Sequence, residues 1–370
     1  MPDSSGDHLT RQSFSRSGLA AEGLLYRAED EHDACGVGFV ADVGGGRSHR
    51  VLRTALRCVA NLSHRGAVAA DAKTGDGAGV QTQLPIKLLR RTLDSLGARL
   101  DAPEDLSVGM VFLPRDEAPA AVARSLIDGC LRSEGLQVFG WREVPIDSAA
   151  LGVSAAASQP RIMQVLVGRP RGLDELTYAR RLYLARRAAE RQALAEGIDD
   201  LYIASLSNRT VVYKGLMVAT QLSEFYLDLR EPAYETALCV FHQRYSTNTL
   251  PNWVLAQPFR VLSHNGEINT RQGNQNWTRA REAELESPIW GDRAKDLLPL
   301  IAPQGSDSSD LDNVLEAVML SGRDVRHAMM MLVPEAWENM PHMVKPRREF
   351  YEYHACLSEP WDGPASLVFT

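Results

Sequence analysis

Val51, Leu52, Ala55, Leu56, Val59 and Leu62 recur at the spacing of one helical face and predict an amphipathic helix over about 50–62. Short runs that are small and apolar predict buried strands over about 35–41, 108–113, 137–144 and 162–167, with VQTQL as a further short strand. Helical patterns lie among them at 117–131 and 175–194. The second of these carries Arg180, Arg181, Arg186, Arg187 and Arg191 beside an apolar stripe of Leu182, Tyr183, Ala185 and Ala189. Its arginines are therefore expected on a solvated face. From Leu201 the pattern turns to β structure, and LYIASLSNRTVVYKGLM predicts a hairpin with Ser207-Asn208-Arg209 at its tip. ALCVFHQRYST and FRVLSHNGEI are two strand-then-loop units separated by the turn-prone TLPNW. Helices are expected around 274–285, 310–320 and 324–331. DGPASLVFT reads as a strand cut off before its partner, which makes the chain look like the front part of something longer. Helices and strands are interspersed throughout, so the expected class is α+β with layers.

Composition narrows the function classes. With 40 Lys+Arg against 47 Asp+Glu, the net charge of −7 gives no footing for nucleic acid. The cysteines Cys35, Cys58, Cys130, Cys239 and Cys356 are scattered without a CxxC pair. That argues against a disulfide framework and against a structural zinc or iron–sulfur site made by this segment. No apolar run reaches the roughly 18 residues of a membrane span, and the start of the chain lacks a signal-peptide core. No membrane and no secretion are expected, which leaves a reducing cytoplasm. Gly44, Gly45 and Gly46 mark a turn and lack the spacing of a phosphate cradle.

Residues up to about Gly18 are rich in Ser, Asp and Arg and read as a flexible leader, and the acidic AEGLLYRAEDEHDA then gives way abruptly to CGVGFVADV. At that break Cys35 has two readings. It is either a buried structural cysteine or, after removal of the 34 residues before it, an N-terminal nucleophile. A free α-amino group titrates at about 7.7–8.0 and could activate the thiol beside it. His264-Asn265-Gly266 follows the strand FRVLS. An Asn amide and the next Gly N–H can converge on one developing oxyanion, although Asn-Gly is also a hairpin-turn signal. Arg244 in HQRYSTNT and Arg65 in SHRG are each either a carboxylate clamp or a solvated surface Arg. In GSDSSDLDN, Asp310 or a neighbouring Ser suits a helix N-cap. Asp307 is expected just outside that helix, where it could bind an ammonium group.

CGVGF after a short leader, NLSHRGA, TGDGAG, HQRYSTNT, SHNGEINT and GSDSSDLDN stand in the order found in the glutaminase domain of glutamate synthase large subunits, and residues 31–370 resemble that family. HRG, RYST and HNGEI are shared more widely, by N-terminal-nucleophile (class II) glutamine amidotransferases. The resemblance implies a leader over 1–34 and a glutaminase domain over 35–370 with a four-layer αββα sandwich. It further implies that Cys35 is the nucleophile that forms a γ-glutamyl thioester from L-glutamine, and that Asn265 and Gly266 form the oxyanion hole. Arg65 and Arg244 would bind the α-carboxylate with Thr247 nearby, and Asp307 would hold the α-amino group. In the complete family enzyme, ammonia travels to C-terminal synthase domains of the same chain, where 2-oxoglutarate is reductively aminated. That step uses FMN and an iron–sulfur cluster, with NADPH through a small subunit or ferredoxin as electron source. No metal site is expected within this segment. Alternatives are another class II amidotransferase with a different acceptor domain, or a non-catalytic glutamine-sensing module.

Overall fold

The computed structural model describes residues 36–71, 73–243, 250–302 and 305–370. In chain order the strands are β1 (Val37–Ala41), β2 (Ala78–Gln83), β3 (Leu106–Leu113), β4 (Gln137–Glu143), β5 (Arg161–Gly168), β6 (Tyr202–Ser207), β7 (Thr210–Gly215), β8 (Leu238–Gln243), β9 (Leu262–Gly266) and β10 (Ala365–Phe369). The helices are α1 (His49–Asn61), α2 (Ile86–Ser95), α3 (Glu117–Ser133), α4 (Val153–Ala157), α5 (Glu175–Ala195), α6 (Leu222–Phe225), α7 (Arg271–Glu282), α8 (Asp307–Leu320), α9 (Val325–Leu332) and α10 (Lys345–Ala355).

The first sheet has the order β1-β8-β2-β7 and is antiparallel throughout. Its period-2 alternation gives it two different faces. Val80, Val211, Tyr213, Cys239 and Phe241 point into one core, where α1 contributes Val51, Leu52, Ala55 and Val59. The opposite face carries Gln81, Lys214 and His242, and each meets a backbone carbonyl from the 254–264 segment. Gln81 Nε2 donates to Arg260 O at 2.6 Å and Lys214 Nζ to Val254 O at 2.7 Å, while His242 Nε2 lies 3.1 Å from His264 O. That segment leads into β9, which pairs antiparallel with β10. Behind the ribbon, Leu262, Leu367 and Phe369 join Leu311 and Leu315 of α8 and Ala328 and Leu332 of α9 in a separate core. The layers therefore run α1, first sheet, β9–β10 ribbon, then α8 and α9, and the α+β layered expectation holds.

Between β2 and β7 the chain builds a second unit, β3-α3-β4-β5-α5-β6, whose antiparallel sheet has the order β4-β5-β3-β6. This is a split βαβ arrangement repeated once. Val111 and Leu113 of β3 face α3 and α5, whereas Val108, Met110 and Phe112 face the core shared with α1. With both faces covered, all eight residues of β3 are buried. Its sequence accordingly reads as a continuous apolar run rather than an alternation.

Three expectations are corrected. The 202–215 stretch is not a hairpin, because β6 pairs with β3 and β7 with β2, so Asn208-Arg209 hands the chain from one sheet to the other. The run 365–369 has its partner, which is β9. The arginines of α5 are not a solvated face. Arg186 is 2% exposed and Arg187 is buried, because α5 is covered on that side by α8 and the 296–299 segment. Arg186 pairs with Glu190 at 2.7 Å and with Glu316 at 2.6 Å. Arg187 pairs with Glu190 at 2.6 Å and also donates to Pro299 O. Arg180 donates to Leu320 O, Arg181 to Glu134 O and Arg191 to Asp296 O.

Candidate active site

The site assembles where β1 begins and β8 and β9 end. Gly36 leads into β1, and its carbonyl accepts the Gln243 N–H at 2.8 Å, which extends the β1–β8 ladder by one step. The Gly36 N–H turns to the neighbouring strand and donates to Asn265 Oδ1 at 3.2 Å. A backbone N–H can only donate, so this bond fixes the orientation of the Asn265 amide. Its NH2 end is left as the donor end. A Cβ on Gly36 would lie 2.2 Å from Gln243 O, so the close approach of these strands requires glycine there.

Asn265 and Gly266 are the last two residues of β9, and the partner strand β10 lies some hundred residues later in the chain. The hairpin-turn reading of Asn-Gly is therefore overturned. Gly266 has φ +135, and an added Cβ would meet Pro364 O at 1.9 Å. Only glycine suits that position.

Asp307 is corrected from an outside position to the first residue of α8, with Ser306 as N-cap. It is 3% exposed. Its Oδ2 accepts the Ile268 N–H at 3.0 Å and its Oδ1 the Ser308 N–H at 2.7 Å. Oδ1 also receives the Ser308 Oγ hydroxyl at 3.3 Å, so Oδ2 is the oxygen that keeps a second lone pair for another donor. Asp310 is not the cap either. Burial pushes its carboxyl up, while Arg271 at 2.8 Å and Gln275 at 2.9 Å pull the other way.

Arg65 ends the short 3₁₀ turn that follows α1. The next residue, Gly66, packs so closely on Gln243 that a Cβ there would lie 2.1 Å from Gln243 Nε2. Gln243 Oε1 is fixed by the Ala219 N–H at 2.5 Å. Arg65 Nε and Gln243 Nε2 are buried and have no hydrogen-bond partner among the described residues. Donors of that kind suit an incoming carboxylate. Cys35, Arg244 and Thr247 lie outside the described residues. In sequence Cys35 adjoins Gly36 and Arg244 adjoins Gln243.

A hydrogen-bond network joins the SHNGEINT and GSDSSDLDN segments behind β9. His264 Nδ1 lies 2.7 Å from Ser308 Oγ, which in turn reaches Asp307 Oδ1 at 3.3 Å. Burial holds the His264 imidazole below its ordinary value against the pull of Asp307. Gln257, 2% exposed, donates from Nε2 to His264 O at 3.0 Å and accepts the His264 N–H on Oε1 at 2.7 Å. A glutamine inside the otherwise apolar run LAQPF was the one hint available in the sequence. A cleft of about 1320 Å³ lies elsewhere, lined by Leu84, Arg209, Arg260 and Thr370 among others and by none of the described site residues. No described helix is long and apolar enough to cross a membrane. Among the described residues no group of three or more His, Cys, Asp or Glu is placed to hold a metal ion.

Comparison with known proteins gives the family of the chain. Residues 35–370 match the family model of class-II glutamine amidotransferases. The chain is 43% identical over 347 residues to the glutamate synthase [NADPH] large chain of Bacillus subtilis (strain 168), covering 94% of this chain and 23% of that one. It is 46% identical over 346 residues to ferredoxin-dependent glutamate synthase 2 of Synechocystis sp., covering 92% of this chain and 22% of that one. Against the ferredoxin-dependent glutamate synthase of Pyropia yezoensis it is 40% identical over 369 residues, 98% of this chain and 24% of the relative. The chain thus spans less than a quarter of the length of these curated relatives. Over residues 35–370 it belongs to the class-II glutamine amidotransferases.

Proposed function

We propose that this chain is the glutaminase part of a glutamate synthase, with residues 1–34 as a removable leader and Cys35 as the nucleophile. The observation that carries the reading is the Gly36 N–H bond to Asn265 Oδ1, which ties the residue after Cys35 to the oxyanion donor. In this reading the Cys35 thiolate attacks the carboxamide carbon of L-glutamine. The Asn265 NH2 and the Gly266 N–H receive the developing oxyanion, donors worth about 2.7–4 kcal/mol each in the transition state. The freed Cys35 amine takes the thiol proton and returns it to the departing nitrogen. The C–N bond breaks, ammonia leaves and a γ-glutamyl thioester remains, which water then hydrolyses to glutamate. Arg65 and Arg244, with Thr247 beside them, hold the substrate α-carboxylate, and Asp307 holds the α-amino group.

The partners of this reading are C-terminal synthase domains of the same chain, which would consume the ammonia in reductive amination of 2-oxoglutarate. FMN and an iron–sulfur cluster would supply electron transfer there, fed by NADPH through a small subunit or by ferredoxin. The chemistry of the present residues ends at ammonia and glutamate. Cysteines Cys58, Cys130, Cys239 and Cys356 are free, which fits a cytoplasmic setting. Glutamine hydrolysis by wild type and Cys35→Ala tests the proposal. Wild type should release ammonia and the variant none, and near-normal turnover by the variant would sink the nucleophile assignment.

A further inference from the structure

Within an antiparallel strand, N–H and C=O groups of successive residues point to opposite edges. One edge of β9 is taken by β10, with Leu367 opposite His264 and Ala365 opposite Gly266. His264 directs its own N–H and C=O away from β10, to the side chain of Gln257. The His264 carbonyl also receives His242 Nε2 at 3.1 Å. By the same alternation the Gly266 N–H, two residues on, lies on that open edge. At this edge the site needs a straight strand with no strand beside it, because a neighbouring strand would take the very N–H that the oxyanion requires. The side-chain amide of Gln257 and the imidazole of His242 resolve the conflict. They satisfy the backbone at His264 and stop there.

We infer that Gln257 is the positioning residue of the oxyanion hole. Its amide stands in for one residue of a missing strand and fixes the height and direction of Asn265 and Gly266 without touching substrate. The amide is suited to this because it donates and accepts in one plane, as a peptide group does. Burial keeps water from competing for the same two backbone groups. The bond from Gln257 Nε2 toward Ser308 Oγ, at 3.5 Å, links this clamp to the start of α8, where Asp307 sits.

This inference rests on the glutaminase reading, and the test separates the two. Gln257→Met keeps the length and apolar volume of the side chain and removes both hydrogen bonds, whereas Gln257→Glu keeps the acceptor for the His264 N–H and removes the donor. Steady-state glutamine hydrolysis and glutamate binding are measured for each on the full chain, with folding checked by thermal melting. A misplaced oxyanion hole acts on the transition state alone, so kcat should fall roughly tenfold or more while KM and the glutamate Kd move less than about threefold. Gln257→Glu should recover part of the loss. An unchanged kcat, or a loss carried by KM, overturns the positioning role. Failure of both variants to fold would make Gln257 a fold residue and overturns it as well. A wild-type chain with no glutamine turnover would instead remove the glutaminase reading beneath it.

Discussion

Two regions of α8 hold the start of β9 by opposite means. On the α5 side the contacts are ionic. Arg260 reaches Glu190 at 3.4 Å and Asp312 at 3.3 Å, and Asp312 accepts the N–H groups of Val261 and Leu262 at 2.9 and 3.1 Å. Burial pushes the Glu190 carboxyl up, but Arg186, Arg187 and Arg260 together bring it down to about 2. Two residues later in β9 no ion pair holds the strand: the His264 backbone is held by the Gln257 amide and the His242 imidazole, and its ring by the Ser308 hydroxyl. The difference follows from what each region must do. A buried ion cluster is rigid and strongly self-satisfied, which suits a seam between elements. Beside a developing oxyanion, an extra fixed charge would act on the reacting atoms through a low-dielectric interior, whereas a neutral amide sets geometry alone.

That contrast can be broken in four places. The largest effect on stability should come from Glu190→Ala, which strips partners from Arg186, Arg187 and Arg260 together. Leaving buried cations short of a counter-charge costs about 3–5 kcal/mol. Denaturant unfolding should show that loss while turnover per folded molecule stays near wild type. Asn265→Ala should do the reverse, lowering kcat by about 10²–10³-fold. Its stability should change by only about 1 kcal/mol, the worth of the bond from Gly36. Asp307→Asn should weaken ground-state binding more than chemistry, raising KM for glutamine by roughly ten- to a hundredfold, as losing a hydrogen bond to a charged group of about 1.5–3 kcal/mol requires.

The smallest effect concerns pH. His354 of α10 lies with its Nε2 3.1 Å from that of His327 in α9, and Arg323 adds a like charge. Burial first, then these neighbours, hold its imidazole below its ordinary value. A base with a lowered folded pKa binds its proton more readily in the unfolded chain. Stability is therefore full above about pH 6.5 and declines as pH falls from there, by at most about 1.4 kcal/mol per pH unit for one histidine. Unfolding midpoints at successive pH values should show a shallower decline in His354→Gln than in wild type.

Much of this was legible in the sequence where a local pattern decides the outcome. The α1 stripe, the runs of β3 and β5, and the positions of β8 and β9 all follow from apolar spacing. Partner choice was not legible. The strands β6 and β7 look like a hairpin because nothing in 202–215 says that each has a longer-range partner. The α5 arginines look solvated because Glu316, which meets Arg186, is 130 positions away in the chain. At the site, Asn265, Gly266 and Asp307 were marked by their motifs, whereas Gln257 and Ser308 act through geometry that only the fold creates.

The most direct measurement is an intact-mass spectrum of the chain before and after exposure to a glutamine-mimicking diazoketone. The account predicts loss of residues 1–34 and a single covalent adduct that maps to Cys35. A processed chain that takes no label, or one labelled at another cysteine, would contradict it.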